Sequence, residues 1–368
     1  MPQAISSLIH LKQALSPIDQ AHQGIAATIG LLASSGLNPT QQMPEMCHLL
    51  RNIFKLQSCG YFWSDQEGNM QDAWCLTNGF LNFKTLMSCL EYQNAGDRNW
   101  PPFQENVLKG AVAGYLLPFQ TEHFYASPYY QSSFQRYNIR HILDVVLHDG
   151  TRPCCAFLLM RSTEQGPFSP DERSLLVNLI PILNMAFSTP NPGVTPYSER
   201  AFTGFALVGQ DGKYRCMSEE ARRIVWTLTH TQPGAFADPN DPSIEQHLEQ
   251  LVARHAAQLK AEKKFSLGID NRWGRFNLTL EQESNTRDTI VTLRRQISLA
   301  AQLAFYLSKH DWPPMRQIVA WQLAQNHSRK DIATTLNLSV ETVTSHIKLI
   351  YQAVGTASSH GLMLKLAG

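Results

Sequence analysis

"SRKDIATTLNLSVETVTSHIKLIYQAVG", residues 328–355, reads as two short helices joined by a tight turn. Ser328 followed by Asp331 is a capping-box start: the hydroxyl takes a free backbone N–H and the carboxylate sits at the positive helix end. Ile332, Ala333 and Leu336 form an inward stripe, and Asn337 suits the turn. Ser339 caps the next helix, with Glu341 in its first turn. That helix offers Val343, Ile347, Ile350 and Val354 for burial, spaced by four, three and four. Its opposite face carries Thr344, Ser345 and Lys348, small or flexible polar side chains suited to base edges and phosphates. Residues 315–325 read as a scaffold helix, with Val319, Leu323 and Ala324 inward and Asn326 able to take the left-handed conformation that ends it.

The string Pro314, "LAQ" (323–325), "SRKDIA" (328–333), Leu336, Ser339, "TV" (342–343), His346, Ile350 and Gly355 resembles the LuxR-type (GerE-like) helix-turn-helix family over residues 312–367. The resemblance implies that the second helix enters the major groove of double-stranded DNA. Thr344, Ser345 and Lys348 would then face bases, with Arg329, Lys330 and Thr342 near phosphates. Three positions depart from the family. Ile318 and Arg316 stand where acidic residues are usual, and Ala353 stands where Lys is usual. From residue 306 onward, Lys309, Arg316, Arg329, Lys330, Lys348 and Lys365 face Asp311, Asp331 and Glu341. That small excess favours a dimer on two half-sites, which would double it. "SSHGLMLKLAG" (358–368) is the candidate dimer helix, with Leu362, Met363 and Leu366 on its apolar side.

Composition frames the rest. The chain has 368 residues, is 43% hydrophobic and 17% charged, and carries a net charge of +1, which argues against coating nucleic acid by charge alone. The start lacks the basic and apolar regions of a signal peptide, and no stretch is long and apolar enough for a membrane span. A cytoplasmic protein is expected. Seven scattered cysteines without a Cys-x-x-Cys pair read as reduced, mostly buried thiols. "STPNPGVTPYS" (188–198) is the clearest linker, "SKHDWPP" (308–314) a second joint, and "QPGAFADPNDP" (232–242) a long internal loop. The expected division is 1–190, 198–305 and 306–368.

In the first piece, residues 60–77 and 141–162 each read as a hairpin. Residues 168–187 form a closing helix capped by Ser169 and Glu172, with Pro170 in its first position. Strands followed by a long helix indicate an α+β sensor-like domain. "GPFSPDE" and the strand "GTRPCCAFLLMR" before it resemble a GAF-type domain, which implies ligand sensing and a dimer contact on that helix. Residues 116–141 are dense in aromatics: Phe119, Phe124, Tyr129, Tyr130, Phe134 and Tyr137. Either they close over a small, partly apolar molecule, with Trp63 and Trp74 as its floor, or they pack a core beneath a long loop.

The middle piece opens strand, Asp-Gly turn, strand, helix over residues 202–225, continues as a helix over 242–264, and ends in three strands. It resembles a PAS-like domain, and residues 298–309 would connect it to the last module. The fold class expected is therefore α+β sensor domains, GAF-like then PAS-like, followed by a small all-α helix-turn-helix domain.

No catalytic fingerprint or zinc spacing appears, so no enzyme, metal or cofactor is expected. The reading is a ligand-responsive DNA-binding regulator, a likeness to transcription factors in which a small-molecule effector of the first domain controls a homodimer. The alternative is a regulator responding to redox chemistry at Cys154 and Cys155 or to a partner protein.

Overall fold

The computed structural model describes residues 2–75, 103–108, 122–150, 152–188, 195–229 and 243–367. It is a mixed α+β fold with two antiparallel sheets.

The first segment begins with three helices, α1 (Pro2–Leu15), α2 (Gln23–Ala33) and α3 (Pro39–Ile53). Strands β1 (Ser58–Ser64) and β2 (Met70–Cys75) follow, then short helices α4 (Phe103–Leu108), α5 (Glu122–Ala126) and α6 (Pro128–Ser133). Strands β3 (His141–His148) and β4 (Pro153–Arg161) lead to α7 (Pro170–Ser188). The sheet order is β2-β1-β4-β3. Both expected hairpins are present. The first turns where Asp65 accepts the N–H groups of Glu67 and Asn69. The capping box of α7 forms in both directions, Glu172 N–H to Ser169 Oγ at 3.1 Å and Ser169 N–H to the Glu172 carboxylate at 2.9 Å. Buried Arg161 ties this helix start to α3: it bonds Glu172 at 2.5 Å and the carbonyl of Phe54 at 3.1 Å.

The second segment holds β5 (Tyr197–Val208), β6 (Tyr214–Met217), α8 (Glu219–Thr229), α9 (Ser243–Arg254), α10 (Ala256–Glu262), β7 (Lys264–Asn271), β8 (Gly274–Gln282) and β9 (Thr289–Ser298). Its strand order is β6-β5-β9-β8-β7. Where the sequence reads one helix over 242–264, the chain breaks at His255. That residue begins α10 without a side-chain cap, and Lys263 ends it at φ +60°. Gly204 of β5 lets α8 approach closely: a Cβ there would lie 2.2 Å from the Ala221 nitrogen.

The third segment is helical: α11 (Leu299–Leu307), α12 (Pro314–Ala324), α13 (Arg329–Leu336), α14 (Val340–Val354) and α15 (Ser359–Ala367). Ser298 caps α11 by accepting the Ala301 N–H at 3.1 Å. The 308–314 joint is the turn between α11 and α12.

One apolar core runs through all three segments, from Leu8 to Leu362. Its hub is α2, "QGIAATIGLLA", in which every residue from Ala26 to Ala33 is buried. A helix that is apolar all round belongs inside. It packs on α1, α3 and α7 of its own segment and on α11 and α12 of the last. Small residues let the backbones close up: a Cβ on Gly24 would meet the Trp312 carbonyl oxygen at 2.6 Å. Across this contact, buried Thr28 donates to the side-chain oxygen of Gln317, whose amide donates to the Trp312 carbonyl at 3.1 Å. Lys12 of α1 reaches the carbonyl of Leu336, at the end of α13, at 3.1 Å. For the same reason α12 is buried from Gln317 to Ala324, and not only along the expected stripe of Val319, Leu323 and Ala324.

Candidate functional site

Helices α13 and α14 build one polar face. The α13 start is a complete capping box, with Asp331 N–H on Ser328 Oγ and Ser328 N–H on the Asp331 carboxylate, both at 3.2 Å. These bonds hold the Asp331 carboxyl below its ordinary value. Asn337 closes the turn at φ +52°, its N–H bonded back into α13, and Ser339 accepts the Thr342 N–H at 3.1 Å to start α14. Val343, Ile347, Ile350 and Val354 are buried as their spacing predicts, and Gly355 ends the helix at φ +69°. With that face fixed inward, the opposite one is set by geometry.

Ser345 and Lys348 are exposed and Thr344 is half-buried on α14. Thr342 is exposed at the α14 start, and Arg329 and Lys330 are exposed at the α13 start. The six residues thus lie on two adjacent helices, outside the packed core. Two hydroxyls already have bonds: Ser345 donates to the Glu341 carbonyl at 3.0 Å, and Thr342 shares a 3.1 Å contact with Ser339. Arg329, Lys330 and Lys348 form no ion pair among the described residues. Ile318 is buried on α12, which accounts for an apolar residue where the resemblance leads one to expect an acid. Arg316, at the other departure, lies near His346 and lowers its pKa, after burial of the ring. Ala353 is exposed on the polar side of α14.

The candidate dimer helix is differently placed from the expectation. Leu362 of α15 is 1% exposed, within the chain's own core, and α15 packs on α11, α12, α14 and β5. Met363 of the same side is half-buried. The Leu366 side chain lies outside the described residues.

The described ligand candidates fall into two separate clusters. Strand register pairs Tyr61 with Trp74 and with Phe157, so these side chains and that of Trp63 point to the helix-covered face. There Trp74 stacks on Tyr61 at 5.7 Å, and Trp63 meets Phe187 edge-on at 5.9 Å. Phe62, Ile142, Val146, Ala156 and Leu158 alternate to the other face, and they are buried apart from the main core. Phe124, Tyr130 and Phe134 are also buried apart from it and form one ring cluster, with Phe124 and Tyr130 centroids 5.3 Å apart. The Tyr130 hydroxyl donates to the Ile139 carbonyl at 3.0 Å. Trp63 and Trp74 pack against the main core, whereas Phe124, Tyr130 and Phe134 are buried outside it, so the described contacts do not bring the two sets together. Phe119 and the Tyr129 side chain lie outside the described residues, as does the 232–242 loop. Sequence reasoning missed Asp144, a buried carboxylate whose register with Leu158 and Ile142–Val146 alternation puts it on that second face. Its signal was an acid inside the apolar run "HILDVVLH".

Sequence reasoning also missed a polar cluster where α3 meets the second sheet. Arg295 of β9 pairs with Glu45 of α3 at 2.9 Å, both side chains nearly inaccessible. Burial raises the Glu45 carboxyl above its ordinary value against the pull of Arg295. His48, one turn on, stacks on Phe202 at 5.4 Å and meets Phe305 edge-on at 5.9 Å. Burial, then Arg295, Arg51 and Arg223, push it down to about 3.

Burial pushes the Cys154 thiol up to about 12 and Cys155 well above the ordinary value, the opposite of the activation that a redox thiol needs. Among the described residues no group of three His, Cys, Asp or Glu side chains could hold a metal ion, and no helix is long and apolar enough to cross a membrane.

No family model matches the chain, and no curated protein matches it. Among solved structures it is similar to a phage VqmA–DPO complex, at 15% identity over 46% of this chain and 84% of that one, with a TM-score of 0.20. It is also similar to the E. coli DhaR(N)–DhaL complex, at 11% identity over 79% of this chain and 89% of that one, with a TM-score of 0.21. At such scores neither likeness carries an argument about this chain.

Proposed function

We propose that the chain is a cytoplasmic, ligand-responsive regulator that binds double-stranded DNA as a homodimer through α13 and α14. The observation that carries the reading is the doubly capped helix pair with Arg329, Lys330 and Lys348 exposed and in no ion pair among the described residues. α14 enters the major groove with Thr344, Ser345 and Lys348 toward bases, while Arg329, Lys330 and Thr342 hold phosphates. The first segment is a GAF-like sensor and the second a PAS-like scaffold. Their element orders, with α7 closing the first sheet and α8 to α10 lying between β6 and β7, support both resemblances. The effector binds at the aromatic cluster of Phe124, Tyr130 and Phe134, which is buried outside the main core. It acts by favouring one arrangement of the segments over another.

The test is selection of genomic fragments by the full-length protein at stated salt, followed by titration of the enriched site. Lys348→Ala should weaken that binding by about tenfold or more, from the roughly 1–3 kcal/mol of one good contact. Unchanged affinity in a folded variant would overturn the assignment of the α14 face.

A further inference from the structure

A cavity of about 200 Å³ lies where the first segment, Thr195 and Pro196 just ahead of β5, and the last segment meet. The α2–α3 turn contributes Ser35 and Leu37, α11 contributes Leu299 and Leu303, α12 contributes Trp321, and α15 contributes Met363. None of its lining residues is ionisable. A charged guest would lose its hydration there without a counter-charge, so the chemistry selects a neutral one. An apolar cavity of ~150 Å³ takes up benzene, so this volume suits a single ring with a small substituent.

Thr195, Trp321 and Gln325 are the other polar residues of the lining, and Ser35 offers it a donor. Ser35 Oγ accepts from the Gln42 side-chain amide at 3.4 Å and from the Leu37 N–H at 3.5 Å. Its own proton goes to no group among the described residues. The hydroxyl can therefore donate to a guest, and a carbonyl or ring nitrogen on the guest would accept.

We infer that this junction is a binding site for a small, uncharged, largely apolar molecule of one ring bearing a hydrogen-bond acceptor. The walls come from α11, α12 and α15 as well as from the α2–α3 turn, so the full contact exists only while the last segment is docked on the first. A guest there favours the docked arrangement by its differential affinity for it. The site is separate from the aromatic cluster of Phe124, Tyr130 and Phe134. It rests on the cavity alone and not on the nucleic-acid reading.

The experiment is ¹⁹F NMR titration of full-length protein, without DNA, using 4-fluoroacetophenone, fluorobenzene and 4-fluorobenzoate. The wild type should bind 4-fluoroacetophenone at least tenfold more tightly than 4-fluorobenzoate. Ala300→Phe, which fills the cavity from α11, should weaken 4-fluoroacetophenone at least tenfold. Ser35→Ala should weaken it about fivefold, the loss of one hydrogen bond, and leave fluorobenzene unchanged. No binding to the wild type overturns the inference, as does undiminished binding to a folded Ala300→Phe. If Ala300→Phe does not fold, Ser35→Ala decides: equal affinity for 4-fluoroacetophenone before and after overturns the site. Because no readout involves DNA, failure here leaves the DNA-binding reading standing, and the reverse holds too.

Discussion

Acidification from about pH 7 to about pH 5 should loosen the contact between α3 and the second sheet through His48. The ring is enclosed by Phe202, Phe305 and Trp74, and three arginines oppose a further positive charge. Its folded pKa is lowered from 6.5 to about 3. Between those values the unfolded chain holds the proton and the folded chain does not. The contribution to stability is therefore complete above 6.5 and is lost as the pH falls toward 3. At pH 5 the unfolded imidazole is roughly 1.5 units below its midpoint, and each unit is worth ~1.4 kcal/mol, so the loss reaches ~2 kcal/mol. That is the ceiling, since His48 keeps an edge in water. Glu45 acts in the opposite sense: its raised pKa means that protonation relieves a buried charge as the pH falls. The assay is urea unfolding of wild type and His48→Phe at both pH values. Phe preserves the ring stack, and every other titration is common to both proteins. The wild type should lose about 1–2 kcal/mol more than the variant on acidification. Equal losses would refute the argument that the enclosed ring stays neutral.

Gly24→Ala should destabilise the docked last segment by about 1–3 kcal/mol, because the new Cβ meets the Trp312 carbonyl and not a flexible side-chain end. Faster proteolytic cleavage at residues 308–314, with a lower urea midpoint, would register this; an unchanged midpoint would show that the contact yields freely. Cys154 should alkylate at least ~10-fold more slowly than exposed Cys216 near pH 8, since its thiol is pushed up to about 12. Peptide mass spectrometry reads the two rates, and equal labelling would restore a reactive thiol at that strand.

The α13–α14 pair was legible residue by residue because its determinants are local. Caps at Ser328 and Ser339, a left-handed Asn337 and a buried stripe within one helix depend on neighbours only a few positions away. The hairpins and the capping box of α7 were legible for the same reason. The sheet's sidedness was in principle legible too, since Trp63 and Phe62 must face opposite ways. Which face the aromatic segment would cover depends on the path between the hairpins, and no local pattern encodes that path. The Glu45–Arg295 pair joins residues 250 positions apart by number and leaves no periodic trace. The burial of Leu362 was hidden likewise: an apolar side on a terminal helix reads the same whether its partner is another copy or the chain's own α11 and α12.

The central place of α2 also sets a timetable. Thr28 and its partner Gln317 are 289 residues apart. At about 5–20 residues per second, a ribosome needs roughly 15–60 s to make the chain between them. During that interval the outer side of "GIAATIGLLA" has been synthesised and its cover has not. The side of α2 that α11 and α12 cover therefore waits for residues 299–324, while its other side can already pack on α1, α3 and α7.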